Sequence, residues 1–212
     1  MTRNINRNDA FTGLEAAIVL IAFVVVAAVF SYVVLGAGFF TTQKSQEVVH
    51  TGVATASTNI AILGEVYGLY TNPALVSTRY IDTVIFSVGL AAGGTPVDMN
   101  RTRLSFQNSS TYVSLEYPAT LMPALGACAA DPTVAGSPGQ NQWAICNAQN
   151  SDGDTVLEAG ERFTIWARLT RTSAGGLPAR DPFSIDIKPD LGASLGLSRT
   201  TPPSIDPNNL LY

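Results

Sequence analysis

Charge is what this sequence has least of. Only 13% of its 212 residues are Asp, Glu, Lys or Arg, where soluble domains carry about a quarter. Lysine is nearly missing, for of 12 basic residues only Lys44 and Lys188 are lysines. The formal net charge is −4, and no basic patch is in view, so no nucleic-acid partner is expected. A surface this poor in charge is expected to be covered largely by other copies of the chain.

Catalytic and metal-binding residue types are equally sparse. His50 is the one histidine; without a serine–acid setting or a second ligand it reads as an ordinary helix-face residue. Two cysteines, Cys128 and Cys146, form no CxxC pair. A glycine-rich phosphate loop and a nucleophile elbow are both missing. No active site is visible, and an enzyme is not expected.

What is present is one long apolar run. Ala16–Leu35 reads AAIVLIAFVVVAAVFSYVVL, twenty residues with no charge and only Ser31 clearly polar. At about 1.5 Å per residue such a helix spans about 30 Å, the thickness of a bilayer's hydrocarbon core. Ten polar residues, MTRNINRNDA, precede it and end in the small residue Ala10; FTGLE follows and puts Glu15 directly before the apolar positions. A carboxylate there costs several kcal/mol to bury without a partner, so its position demands a reason. Two arginines in the first ten residues predict that this end stays cytoplasmic while the bulk is exported.

Ordinary secretory signals place the cleavage site after the apolar core. Here the small-residue site, Ala10–Phe11, lies before it, so processing keeps the helix. This order resembles the class III signal of type IV pilin-like proteins, in which a dedicated membrane peptidase removes a short basic leader and leaves Glu as the fifth residue. Counted from Phe11, the fifth residue is Glu15. Residues 11–40, FTGLEAAIVLIAFVVVAAVFSYVVLGAGFF, resemble more closely still the N-terminus of an archaellin, the archaeal flagellin. The resemblance is specific across residues 7–40 and looser beyond. The stretch TPVDMNRTRLSF resembles the opening of the archaellin outer domain.

After Leu35 the segment GAGFF reads as a flexible joint, because Gly36 and Gly38 each cost an isolated helix about 1 kcal/mol. Val49, Val53, Ala56, Ile60, Leu63, Tyr67 and Tyr70 then recur at spacings of three and four, the seam of helix-on-helix packing. The helix is expected to run to Asn72–Pro73. From Tyr80 the period changes to two: Ile81, Thr83, Ile85 and Ser87 alternate with Asp82, Val84, Phe86 and Val88. Further strands are expected at 97–107, 111–117, 142–147, 162–170 and 183–188. The expected fold is α+β: a long N-terminal hydrophobic α-helix followed by an antiparallel β-sandwich or barrel of immunoglobulin-like type. The expected division is a leader at 1–10, the helix at 11–72 and an outer β-domain at 73–212. Removing residues 1–10 takes away Arg3, Arg7 and Asp9, a net +1, and leaves −5.

Three local patterns suggest chemistry. Asn150, Asp152, Asp154, Glu158 and Glu161 stand at positions 1, 3, 5, 9 and 12 of a loop, with the Val156 carbonyl at position 7, the oxygen-ligand spacing of a Ca²⁺ site. Thr155 replaces the turn glycine and the flanks are strand-like, so an acidic Asp-Gly turn is the competing reading. Asn100-Arg-Thr and Asn108-Ser-Ser are N-glycosylation sequons. Cys128 and Cys146 enclose a Pro/Gly-rich loop; export permits a disulfide, and two buried thiols are the alternative.

The archaellin resemblance implies the structural subunit of an archaellum, an extracellular swimming filament reached through a transient membrane-inserted precursor. It implies a homopolymer, with sibling archaellins, a prepilin-type signal peptidase and a membrane-embedded motor and assembly platform as partners. Phe11, Glu15 and Val25 are then assembly residues: the Phe11 amine and the Glu15 carboxylate as a charge pair, Val25 as a core position intolerant of charge. An archaeal adhesive pilin shares the leader and helix, but the TGLE start and Pro96-Val97-Asp98 favour the archaellin. A single-span surface receptor explains Ala16–Leu35 and leaves Glu15 and the seam unexplained.

Overall fold

The computed structural model describes residues 7–70, 79–118, 128, 137–169 and 176–212. The leader expected at 1–10 falls largely outside them. Two compact units are distinguished, Met1–Gly52 and Val53–Tyr212.

The first unit is helical. Helix α1, Arg7–Ser57, contains 51 residues and no proline. Its β-branched residues are only moderate helix formers, yet in a dry environment a helix alone satisfies every backbone group internally. Gly36 and Gly38 remain helical, contrary to the expected joint. Next to them the Thr41 and Thr42 hydroxyls donate to the carbonyls of Ala37 and Gly38, each at 2.8 Å. Those bonds hide both hydroxyls against the helix's own backbone.

The helix does not reach residue 70. Its last bonds run from Thr58, whose N–H (3.0 Å) and hydroxyl (2.7 Å) both donate to the Ala54 carbonyl; at the next residue the Asn59 carbonyl accepts from the Ala91 N–H at 2.9 Å instead, and the chain enters the sheet. Two strands follow, β1 (Ile60–Ile62) and β2 (Val66–Leu69). They lie end to end along one edge of β3 (Thr83–Leu90): Ile62 faces Val88, and Tyr67 faces Ile85. Between them Gly64 adopts φ +86, which a helix forbids. The expected boundary at residue 73 is therefore corrected: strands within 60–69 belong to the β-domain. The seam misled because Ile60, Leu63, Tyr67 and Tyr70 fit a helical spacing by coincidence, while Ile60, Ile62 and Val66 are β-branched.

The remaining strands are β4 (Val97–Asp98), β5 (Arg103–Asn108), β6 (Tyr112–Leu115), β7 (Gln142–Gln149), β8 (Val156–Leu157), β9 (Arg162–Arg168), β10 (Pro182–Lys188), β11 (Leu195–Thr200) and β12 (Asn208–Leu211). A six-stranded sheet runs β12-β2-β3-β9-β7, with β1 also on β3; a four-stranded sheet runs β11-β10-β5-β6; β4 and β8 pair alone. All these pairings are antiparallel. Expected strand 97–107 is split, because Met99–Arg101 makes a 3-10 turn that buries Met99. β1, β2, β8, β11 and β12 were not anticipated.

Both sheets feed one core. Val84, Phe86 and Val88 of β3 and Phe163 and Ile165 of β9 share it with Leu104, Phe106, Ile185 and Ile187 of the smaller sheet. Backbone bonds stitch the sheet edges at both sides. The Trp143 N–H donates to the Glu116 carbonyl at 3.0 Å, linking β7 to the end of β6. Thr200 and Tyr212 exchange a pair of bonds of 2.7 and 3.3 Å, linking β11 to the end of β12. This arrangement is a sandwich with partly closed edges, which limits strand-to-strand pairing with other chains.

Candidate assembly surface

Along α1 the apolar residues fall on every side. Seventeen large hydrophobic side chains from Leu14 to Phe40 are exposed, from Val34 at 53% to Tyr32 at 79%. No charged residue interrupts Ala16 to Gln43. Fully covering a Val, Leu, Ile or Phe side chain stabilises by about 1.5–3 kcal/mol. Those seventeen together therefore amount to tens of kcal/mol, and a bare helix in water is not a stable end point. An amphipathic helix docks one stripe on a core; this one has to be surrounded.

Glu15 is exposed at the start of this surface. With Ala16, Val19, Leu20, Phe23 and Val24 it edges a shallow groove on the helix. Val25 is 55% exposed within the apolar stretch. Lys44, the first charge after Glu15, pairs with Glu47 at 2.6 Å on an exposed face, a contact of little energetic weight. Charge thus returns only where the apolar stretch ends.

The acidic loop does not gather its carboxylates. The Asp152 carboxylate accepts from the Asp154 N–H (3.2 Å) and the Asp154 carboxylate from the Val156 N–H (2.8 Å). The Asn150 amide donates to the Gly160 carbonyl at 3.2 Å. Glu161 is buried and accepts from the Glu158 N–H at 2.8 Å. Among the described residues no group of three or more His, Cys, Asp or Glu side chains is placed to hold a metal ion. These residues as arranged do not fit a Ca²⁺ site; they form a turn whose side chains cap its own backbone. The loop is anchored instead by protein. β8 pairs with β4, Leu157 is fully buried, and the Met99 N–H donates to the Thr155 carbonyl at 3.0 Å.

The two sequons sit at opposite ends of the β5 region. Asn100 is exposed on the 3-10 turn, its amide donating to the Thr155 hydroxyl at 2.5 Å. Asn108 is half-buried and builds the β5–β6 turn. Its carbonyl oxygen accepts from the N–H groups of Ser110 (3.2 Å) and Thr111 (2.7 Å), while its amide donates to Asp181 at 2.9 Å. Asp181, buried, also accepts from the Ser109 hydroxyl at 3.0 Å. Sequence reading missed Asp181, since nothing in the chain indicates that residues 108 and 181 meet.

Cys128 and Cys146 form a disulfide, with Cα atoms 5.2 Å apart. The register between β7 and β9 shifts between Ile145 and Asn147. Cys146 is the extra residue of this bulge, and it is buried together with Ile145. A bulge re-aims a side chain that strict alternation would turn outward.

Comparison with known proteins decides the family. The model of archaeal-type flagellins matches residues 10–199. The chain belongs to the archaeal-type flagellin family. A relative named "Probable flagellin 1" from Archaeoglobus fulgidus is 40% identical over 96% of this chain and 95% of its own length. The solved archaeal flagellum of Methanospirillum hungatei strain JF1 superposes with a TM-score of 0.68 at 31% identity, covering 94% of this chain and 99% of that one. Archaeal flagellin FlaB1 from Methanocaldococcus jannaschii shares the fold, with a TM-score of 0.55 at 20% identity over 72% of this chain and 95% of that one. This archaeal-type flagellin is a structural subunit of the archaeal flagellum, and its family is not one of enzymes.

Proposed function

We propose that this flagellin is made as a membrane-held precursor, is cut between Ala10 and Phe11, and polymerises by surrounding each α1 with the α1 helices of other copies. The observation that carries this reading is the apolar circumference of α1, exposed along its length, beside a β-domain that already has its own core. In the membrane the lipid covers α1; in the polymer the neighbouring helices do, so its apolar surface stays out of water at both stages. An interface between unlike surfaces that does not close into a ring generates an open filament.

Within that core Glu15 takes the new amino group of Phe11 on a neighbouring copy as its partner. An unpaired carboxylate is costly in a dry interior, so the pair selects the docking register. A prepilin-type signal peptidase makes the cut, and a membrane-embedded platform and motor receive the subunit; sibling flagellins are accepted where they present the same helix. Sugars attach at Asn100, whose side chain is exposed, and at Asn108 with the turn opened less readily.

The test is to shear filaments from cells, view them by negative stain and read their subunit by mass spectrometry. The expected protein begins FTGLE. Assembled subunits that retain Met1 or Thr2 would refute the cleavage, and filaments lacking this chain would refute the function.

A further inference from the structure

The two sheets of the β-domain differ in one row of their outer faces. On the six-stranded sheet the cross-strand register places Leu210, Tyr67, Ile85, Trp166 and Ala144 in one unbroken row across β12, β2, β3, β9 and β7. Every member is apolar or aromatic. Tyr67 is 45% exposed; Leu210, Ile85 and Trp166 are partly exposed, and only Ala144 is buried. None of the four partly exposed residues belongs to the shared core, whose β3 contribution is the alternate set Val84, Phe86 and Val88.

The corresponding row on the four-stranded sheet is Ser198, Ser184, Gln107 and Tyr112. Next to it run Gly196, Asp186, Ser105 and Ser114. Tyr112, on the β6 edge, is the one aromatic in these two rows. Both sequons of the chain also flank this sheet: Asn108 ends β5 and Asn100 lies three residues before it. A sheet with one face on the core normally shows water a polar outer face. The four-stranded sheet obeys that rule. On the six-stranded sheet the flanking rows, Thr83, Arg168 and Gln142 on one side and Ser87, Thr164 and Asn147 on the other, are polar too, and only the row between them departs from it.

We infer that the apolar row on the outer face of the six-stranded sheet is a contact with a second copy of this chain, and that the four-stranded sheet faces water. The inference rests on the filament reading, which brings copies of the chain side by side. The row itself is small: four strand spacings make a strip about 19 Å long and on the order of 200 Å². A stable free complex needs about 800 Å² per partner. Such a strip cannot hold two copies together alone. It contacts another copy only where α1 has already raised the local concentration, as a tethered second site does. A contact of this kind sets the angle and register of neighbouring β-domains without driving association before export.

The test uses thiol labelling of whole filaments. Both native cysteines are in the disulfide, so one introduced cysteine is the only free thiol. Filaments of Tyr67→Cys and of Gln107→Cys are exposed to a bulky maleimide, then dissociated in detergent and labelled again. The expected result is at least a tenfold slower reaction of Tyr67→Cys in filaments than in dissociated subunits, with Gln107→Cys reacting alike in both. Leu210→Cys, at the end of the row, replaces Tyr67→Cys should that variant fail to assemble. Equal labelling of the row in filaments and free subunits overturns the inference, as does protection that persists after dissociation or protection of Gln107→Cys as well. Absence of the unaltered chain from filaments would instead overturn the filament reading.

Discussion

The helix α1 and the β-domain are built from the same apolar residue types and dispose of them in opposite ways. In the β-domain, Val, Ile, Leu and Phe alternate with polar residues, and two sheets close over one side of each strand. In α1 they fill every side, and the single chain leaves them exposed. The first arrangement completes its own core. The second is an unfinished core, which the proposed assembly completes first with lipid and then with other copies. The difference teaches that the polymer's identity lies in where burial is left undone, since the β-domain's fold alone would serve a monomer equally well.

That contrast can be tested from the β-domain side. Phe86→Ala removes a ring that is 1% exposed at the centre of the shared core. It should destabilise the domain by about 3–5 kcal/mol, read as a lower urea midpoint of a fragment beginning at residue 58. A change under about 1 kcal/mol would mean that the sheets do not share that core.

Reducing the Cys128–Cys146 disulfide should have the next largest effect. The bond spans a separation of 18 residues, for which the loop-closure estimate is about 3 kcal/mol. The Cys128→Ser, Cys146→Ser pair should lower the domain's Tm while leaving membrane insertion of α1 unaltered. Equal melting with and without reductant would show that the bond constrains nothing.

Asp181→Ala should cost about 1–3 kcal/mol, because it strands the half-buried Asn108 amide and the Ser109 hydroxyl. Adding Asn108→Ala to it should cost less than the two single losses combined, since both remove one network. Strict additivity of the urea midpoints would separate the two residues.

The smallest effect is a titration. Burial raises the Tyr117 phenol above its ordinary 10.0. Folding therefore favours the protonated form: the contribution is fully present below pH 10 and is lost as pH rises through the raised value. Alkaline unfolding of Tyr117→Phe should lack that component, and identical pH profiles for both proteins would assign the loss elsewhere.

Much of this was legible in the sequence because it follows from one-dimensional pattern. Ala16–Leu35 declares its own need for burial, and the alternation after Tyr80 declares β3. The end of the helix was not legible. The seam from Val49 to Tyr70 continues in helical spacing across Thr58, where the chain leaves the helix to pair Ile60–Ile62 with Val88–Leu90, a long-range meeting. The arrangement of the acidic loop was not legible either. Its ligand spacing suits a cation, but two of its carboxylates cap the next N–H two residues on, and strand pairing of Val156 and Leu157 fixes it. Long-range meetings such as Asn108 with Asp181 leave no trace in local pattern.

The central claim is that α1 is the polymer's core and that the β-domain folds without it. Val25→Asp tests it most directly, since it adds a charge with no partner in the middle of the apolar surface. Cells carrying this variant should make a processed, membrane-held subunit with a normally melting β-domain, and negative stain should find no filaments. Filaments of normal number and length from Val25→Asp would contradict the account.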